Sequence, residues 1–528
     1  MSASTPTVAS PTSPEIEQQL AEWQALFATP DADVSHLLCD RHDPSAIAFA
    51  LPRYLEGELQ VEDVTFGALR EESARFAAAL QAQGIGRGDS VAVLMGKSRS
   101  LVVALLGIWR LGAVHVPLFT AFAAPAIELR VTASGAKTVV TDPDQRAKLA
   151  GLEEQGIRVI ESGAPLEQLV AAHEPLTTTE AVGADGALIV LYTSGTTGAP
   201  KGVTVPVKAL SSFASYLHYG LDVSPDDVYW NAADPGWAYG LYYAILGPLA
   251  LGRPSILLAG GFSSDATKAV VEHFGVTNLA AAPTVYRSLR KDGLTLDRPL
   301  RRASSAGEPL TPDVNAWAAT ALGTQVRDHY GQTEHGMMIV NAWHDAVRSD
   351  VPEGSMGRPL PGFAAATLEG QIVLDVPASP LIWFAGYLDA PDKTAERFAL
   401  DGRYYLTGDL GREEDGLFYF ASRDDDLILM AGYRISPFDV ESVLVTDPRV
   451  LEAAAIGVPD ELRGEVLISY VVLKEEVADH AALERELQQL VKEKFAAHAY
   501  PRRIHVVEQL PKTPSGKVQR FVLRQQHS

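Results

Sequence analysis

The chain has 528 residues, 47% of them apolar and 21% charged; that length excludes one compact core, so two or more structural units are expected. Its 44 basic and 66 acidic side chains leave a formal net charge of -22, which works against nonspecific binding to nucleic acid or an anionic membrane surface. An anionic ligand must then be met by a local exception, built from backbone N–H groups and a few placed cations.

The first residues, MSASTPTVASPTSPEIEQQL, lack a basic segment followed by an apolar one, so no secretory signal is expected. Their Ser, Thr and Pro content predicts a disordered tail over residues 1–14. Cys39 is the single cysteine, which excludes an internal disulfide and suits a reducing, cytoplasmic setting. Phe66, Leu69, Phe76 and Leu80 recur at helical spacing, and Gly84-Ile85-Gly86 stops that helix. Ser90–Met95 is a β-rich run, Ser98–Leu111 a helix, and Ala113–Pro117 and Lys137–Thr141 two more strands. This alternation predicts a parallel sheet covered on both faces. Leu101–Leu118 and Leu241–Leu258 are apolar but broken by Arg110, Gly112 and Pro117, and by Gly247, Pro248 and Arg253. Each therefore reads as a buried helix followed by a buried strand, not as a membrane span.

Ala187–Tyr192 is a buried strand running into Thr193-Ser194-Gly195-Thr196-Thr197-Gly198-Ala-Pro-Lys201. Such a loop can turn N–H and O–H groups toward phosphate oxygens, with glycine permitting close approach. It is not a Walker A loop, because Gly202 follows the lysine. From about Gly357 the texture changes to short β-like runs, Gln371–Asp375, Leu381–Phe384 and Leu417–Phe420, a smaller β-rich section. The last hundred or so residues, beyond Ser422-Arg423-Asp424-Asp425, suffice for a small α+β domain. Its strands are expected near Ala453–Gly457, Leu467–Leu473 and Arg503–Val507, with a helix near Ala482–Ala497.

Further strings follow in order: Gly307-Glu308-Pro309-Leu310, Asp328-His-Tyr330-Gly331-Gln-Thr333-Glu334, Tyr405-Leu-Thr-Gly-Asp409, Ala431-Gly432-Tyr433-Arg434 and Pro511-Lys-Thr-Pro-Ser-Gly-Lys517. Together with the 193–201 loop they resemble the adenylate-forming superfamily, which includes acyl-CoA synthetases, firefly-type luciferases and peptide-synthetase adenylation domains. The resemblance runs from about Val64 to Arg520 and is closest to the acyl-CoA synthetase branch.

The resemblance implies an α/β N-terminal adenylation domain over 15–424, made of parallel βα sheets plus a β-rich subdomain, and a mobile α+β C-terminal domain over 425–528. It implies ATP and coenzyme A as substrates with Mg²⁺. Thr193, Ser194, Gly195, Thr196, Thr197, Gly198 and Lys201 would hold the phosphates, and Glu334 the metal. Gly307, Glu308, Pro309, Asp328, Tyr330, Thr333, Asp409 and Arg423 would hold adenine, ribose and the α-phosphate. Lys517 is the implied catalytic lysine, Asp425 the hinge, and Gly432, Tyr433 and Arg434 the segment that swings in for thiol transfer.

The acid pocket is expected at Trp237, Ala238, Tyr239, Ala306 and Gly331. Acetate- and propionate-using members carry Trp at the place of Gly331, so an acid larger than acetate is expected: medium-chain, branched or aryl. An alternative is delivery of the acyl group to a carrier-protein thiol. The other partners implied are small molecules only, with no nucleic acid and no integral membrane association, and with a monomer or homodimer as the assembly. Between Gly362 and Gly386 the chain is shorter than the family pattern, with Leu368-Glu-Gly-Gln-Ile372 where a longer hairpin is usual.

Overall fold

The structure, a computed structural model, describes residues 7–193, 200–308, 310–423, 426–430, 433–460, 464–496, 499–512 and 518–526, with Arg423, Leu429, Tyr433, Arg434 and Gly464 described in main chain only. The predicted alternation forms a 6-stranded sheet in the order Arg158–Glu161, Thr138–Thr141, Ser90–Leu94, Val114–Pro117, Ala187–Thr193, Lys201–Pro206. All neighbours in it are parallel except the last two, which form an antiparallel hairpin. Its covering helices begin where the side chains can cap them. The Thr65 hydroxyl accepts the Ala68 N–H ahead of Phe66–Ala82, and Ser98 accepts the Leu101 N–H ahead of Arg99–Arg110. The second of these helices is buried along its whole length from Leu101, which explains why its sequence is nearly all apolar.

Beside the 6-stranded sheet the large lobe holds a 12-stranded sheet and a 3-stranded sheet of Ser255–Ile256, Ile47–Leu55 and Glu58–Thr65; the 12-stranded sheet carries most of the site. It starts with four parallel strands, Tyr229–Asn231, Asn278–Ala281, Arg302–Ala306 and Val326–Gln332. It then turns antiparallel at Gly336–Val340 and continues through Ser355–Pro359 into Leu417–Arg423 and Tyr404–Glu414. The β-rich section expected after Gly357 is thus an extension of this sheet. The short segment around Leu368 is a two-residue hairpin between Ala364–Leu368 and Gln371–Asp375. Glu369 and Gly370 both have positive φ, 52° and 82°, which matches the twist of the flanking strands.

Two expectations are corrected. Residues 7–14 of the expected tail are held in the fold. Val8–Ala9 pairs with Ala364–Ala365, the Thr7 hydroxyl donates to Asp375 at 2.9 Å, and Ser13 caps the helix Pro14–Phe27. Exposed sheet edge supplies the hydrogen bonds that composition alone does not reveal. Leu381–Phe384 is not a strand; Leu381, Trp383 and Phe384 are buried in a loop, and a short apolar run does not distinguish the two.

The strand Leu417–Arg423 is the last of the large sheet, and Ile428–Met430 belongs to a separate 5-stranded sheet with Tyr433–Ile435, Gly464–Leu473, Val450–Asp460 and Arg503–Val506. The helices Pro437–Leu444 and His480–Lys494 cover it over their own core of Val440, Leu444, Leu467, Leu483 and Leu487. Among the described residues no helix is long and apolar enough to cross a membrane.

Candidate active site

The carboxyl ends of the parallel strands in an α/β sheet leave a crevice for ligands. Here a cleft of about 2290 Å³ opens there, between the two large sheets and the small lobe. The hairpin Ala187–Thr193 and Lys201–Pro206 reaches its rim with Thr193 paired to Lys201; Ser194, Gly195, Thr196, Thr197 and Gly198 lie outside the described residues. The Lys201 ammonium stands 5.0 Å over the Tyr387 ring. Burial, with Arg397 and Lys393 nearby, lowers its pKa, and Glu334 opposes the shift.

Glu334 is buried at the turn after Val326–Gln332. Tyr387 donates its hydroxyl proton to Glu334 Oε1 at 2.8 Å and in turn accepts from Arg397 Nε at 3.0 Å. An N–H can only donate, so the direction of both bonds is fixed and the carboxylate is held in place. Among the described residues no cluster of three or more His, Cys, Asp or Glu could hold a metal. One placed carboxylate in the cleft suits Mg²⁺, which takes few protein oxygens and most of its shell from water and phosphate.

Asp409, on Tyr404–Glu414, sits opposite Arg423 in the sheet register. Its Oδ2 accepts from the Tyr330 hydroxyl at 2.5 Å and from Gln332 Nε2 at 2.6 Å. Tyr330 and Gln332 share a face of their strand, so alternation places both against the carboxylate. The structure thus brings Tyr330 and Asp409 together. The Thr333 carbonyl accepts from Tyr242 at 3.1 Å, which anchors the turn that carries Glu334. Gly307 has a positive φ of 101°, and a Cβ there would meet no atom within 4 Å, so the backbone faces open space. Its neighbour Glu308 is engaged by Arg287 at 2.6 Å; Pro309 lies outside the described residues. Burial pushes the Asp328 carboxyl up to about 8, against backbone N–H bonds from Leu310 and His329.

Trp237, Ala238, Tyr239, Ala306 and Gly331 all line the cleft. Trp237 packs on Phe119 at 5.1 Å and Phe122 at 5.6 Å. Gly331 follows a register shift in the strand pair, and a Cβ there would lie 2.2 Å from the Gly336 carbonyl oxygen and 2.7 Å from Met337 Cα. The opening expected from the missing side chain is therefore already occupied on the Cβ side by main chain, and a Trp at 331 would have to displace the hairpin.

Lys517, Asp425 and Gly432 lie outside the described residues. Lys512 and Val518, on either side of the 513–517 segment, are bridged as antiparallel neighbours and both line the cleft. The main chains of Tyr433 and Arg434 pair with Met430 and Leu429.

Several cleft residues carry no motif. Tyr387 and Arg397 come from loop sequence without periodicity. Lys97 donates to the Ala232 carbonyl at 3.2 Å beside Asp234; burial lowers the lysine's pKa and raises the aspartate's. Only a Lys after the strand Ser90–Leu94, at a strand's carboxyl end, could have pointed to it.

The AMP-binding enzyme model matches residues 41–373, and the AMP-binding enzyme C-terminal domain model matches 439–517. The chain is 33% identical to acetyl-coenzyme A synthetase of Bacillus subtilis over 520 residues, covering 92% of this chain and 89% of that protein. It is 34% identical to the mitochondrial acyl-coenzyme A synthetase ACSM3 of Mus musculus, covering 86% and 82%. The crystal structure of Brucella canis acyl-CoA synthetase is similar with a TM-score of 0.73 at 41% identity, over 96% of this chain and 97% of that one.

Proposed function

This chain belongs to the AMP-binding enzyme family, and on that premise we propose that it is an AMP-forming acyl-CoA synthetase acting on an acid larger than acetate. The observation that carries the reading is a convergence. The ends of the Ser/Thr/Gly loop, the Tyr330–Asp409 pair, Glu334 and the residues flanking the 513–517 segment all face one cleft.

In the first step a carboxylate oxygen of the acid attacks the α-phosphorus of ATP. The new P–O bond forms as the bond to the β-phosphate oxygen breaks, and pyrophosphate leaves. Nucleophile and electrophile are both anionic, so the barrier is repulsion and alignment. Lys201 and the 193–201 loop would hold the phosphates, Asp409 and Arg423 the ribose, and Gly307, Asp328 and Tyr330 the adenine. Lys517 would neutralise the joining oxygens. Glu334 would hold Mg²⁺, which supplies charge neutralisation to the phosphates. No general base is needed, because a carboxylic acid is already ionised near neutral pH. In the second step the thiolate of coenzyme A attacks the acyl carbonyl, the bond to the phosphate oxygen breaks, and AMP leaves. Rotation of the 425–528 lobe about Asp425 would withdraw Lys517 and bring in Gly432, Tyr433 and Arg434.

Support for the larger acid comes from the small side chains Ala238 and Ala306 that line the cleft, where each added buried CH₂ contributes about 0.8 kcal/mol. ATP–pyrophosphate exchange over a panel of acids tests the reading. Exchange with medium-chain, branched or aryl acids above that with acetate is expected. Exchange with none of them would refute the activity, and a best rate with acetate would refute the size. Coenzyme A against a carrier-protein thiol as acceptor then separates the ligase from its alternative.

A further inference from the structure

At the acid end of the cleft three side chains form a hydrogen-bond chain whose proton order is fixed. The His329 ring is buried, and burial drives its pKa down to about 3, so near neutral pH it carries one proton. Its Nε2 lies 3.2 Å from the Asn341 carbonyl oxygen, which can only accept. The proton is therefore on Nε2, and Nδ1 is an acceptor. The Tyr216 oxygen lies 2.7 Å from Nδ1, so Tyr216 spends its only proton there. The Tyr239 oxygen lies 3.1 Å from that of Tyr216, and the one arrangement left is Tyr239 donating to Tyr216. Burial raises the pKa of both phenols, so neither is ionised.

Tyr239 lines the cleft, whereas Tyr216 lies behind it, fully buried. With its proton committed to the protein, the Tyr239 hydroxyl has only lone pairs to offer a ligand. Ala238 and Ala306, which line the same cleft, carry no polar side-chain atom; Asp328, whose carboxyl is protonated below about pH 8, and Tyr243, 5.4 Å from Tyr239 between ring centres, line it as well. The indole N–H of Trp237 has no partner among the described residues but is sealed from solvent.

We propose that this chain selects a carboxylic acid bearing a hydrogen-bond donor, a hydroxyl or an N–H, on the part of the acyl group that reaches Tyr239. A group there that only accepts, such as an ether, a carbonyl or a second carboxylate, meets lone pairs with lone pairs and is rejected. Buried polar groups discriminate by the cost of leaving a partner unmatched. This rests on the assignment of that end of the cleft to the acid. Tyr216, which lies behind the cleft wall, and His329 act as positioning residues: they set which way the Tyr239 proton points.

The test uses matched acids of equal carbon skeleton, one with a hydroxyl and one with a methoxy group, on both aryl and medium-chain frames. Two quantities are read: kcat/KM from pyrophosphate release, and Kd by calorimetry without turnover. Wild-type protein is expected to favour the hydroxy acid about tenfold or more. Tyr239→Phe should flatten that ratio. Tyr216→Phe should also shift it toward the methoxy acid, because Tyr239 regains a free proton, and this is an effect that loss of packing does not produce. Equal use of the two acids by wild type, or a ratio unmoved by Tyr216→Phe in a folded variant, would overturn the inference while leaving the ligase reading intact. A preference in Kd without turnover supports the inference and sinks the ligase reading instead. Binding of neither acid, on either frame, overturns the assignment of this end of the cleft and the inference with it.

Discussion

The two sides of the cleft are built differently. On the large-lobe side the functional groups are cross-braced. Tyr330 and Gln332 grip Asp409 from a neighbouring part of the same sheet, and Arg397 and Tyr387 lock Glu334. On the small-lobe side the charged groups mostly satisfy one another. Arg520 pairs with Glu441 at 2.8 Å and with Asp426 at 3.3 Å, while Lys512 pairs with Glu452 at 2.6 Å. Among the described residues, contacts with the large lobe include Ser436 donating to the Ala421 carbonyl and Phe438 meeting Phe420 edge-on at 6.3 Å. A site with one braced half and one self-contained half suits a reaction whose first partners stay put while a second set of groups is exchanged.

The strongest way to break that contrast is Lys517→Ala. If the small lobe delivers one charge to the joining oxygens, ATP–pyrophosphate exchange should fall by about 10²–10³-fold, the scale of losing one transition-state donor. Thioester formation from supplied acyl-AMP should stay within a few-fold of wild type. Equal losses in both half-reactions would mean that the lobe does not divide its labour.

Asp409→Ala tests the braced half. It removes the common acceptor of Tyr330 and Gln332, and a hydrogen bond to a charged group contributes roughly 1.5–3 kcal/mol. The KM for ATP should rise at least tenfold, and chemical denaturation should show a stability loss of that order. An unchanged KM would remove Asp409 from the nucleotide site.

Asp409 also shows what the sequence made legible. The parallel strands, the helices carrying Phe66–Leu80 and Ser98–Leu111, and the strands that carry the motifs follow from period, and they emerge within a residue or two. The bracing of the site was not legible. Nothing in the spacing of Tyr330 and Asp409 says that they touch, since 79 residues separate them and the contact depends on how antiparallel strands close the sheet. Tyr387 and Arg397 come from irregular chain, where no period exists to read. Gly331 shows a related limit: an absent side chain reads as space, whereas the register shift there fills its Cβ side with backbone.

A third, smaller effect comes from pH. His115, His329 and His335 are buried in the large lobe, and burial holds each at a pKa of about 3. The unfolded chain takes up a proton on each near pH 6.5, whereas the folded protein does so only near 3. Stability from these groups is therefore present above pH 6.5 and is lost as pH falls from there to about 3, by at most about 1.4 kcal/mol per pH unit for each. Asp328 runs the other way. With its carboxyl at about 8, the folded state holds a proton below that pH which the unfolded state releases until near 3.9. Three groups outweigh one, so acid should destabilise the large lobe first. His115→Gln should flatten the decline measured by urea denaturation between pH 6.5 and 4; a slope that does not change would remove this histidine from the balance.

The smallest change asks whether the two lobes unfold together. Ser436 has two bonds at the junction: its hydroxyl accepts the Asp439 N–H at 3.3 Å, capping Pro437–Leu444, and donates to the Ala421 carbonyl of the large sheet. Ser436→Ala removes both, and loss of such a cap costs about 1 kcal/mol. Ser436→Asn restores a capping oxygen, yet its longer side chain does not reproduce the bond to Ala421. If the lobes are thermodynamically separate, calorimetry should show the small-lobe transition lowered in Ser436→Ala and recovered in Ser436→Asn, with the large-lobe transition fixed in both. If the bond to Ala421 couples them, both transitions should fall in both variants, and the contrast between a braced half and a self-contained half would fail at the point where the two halves meet.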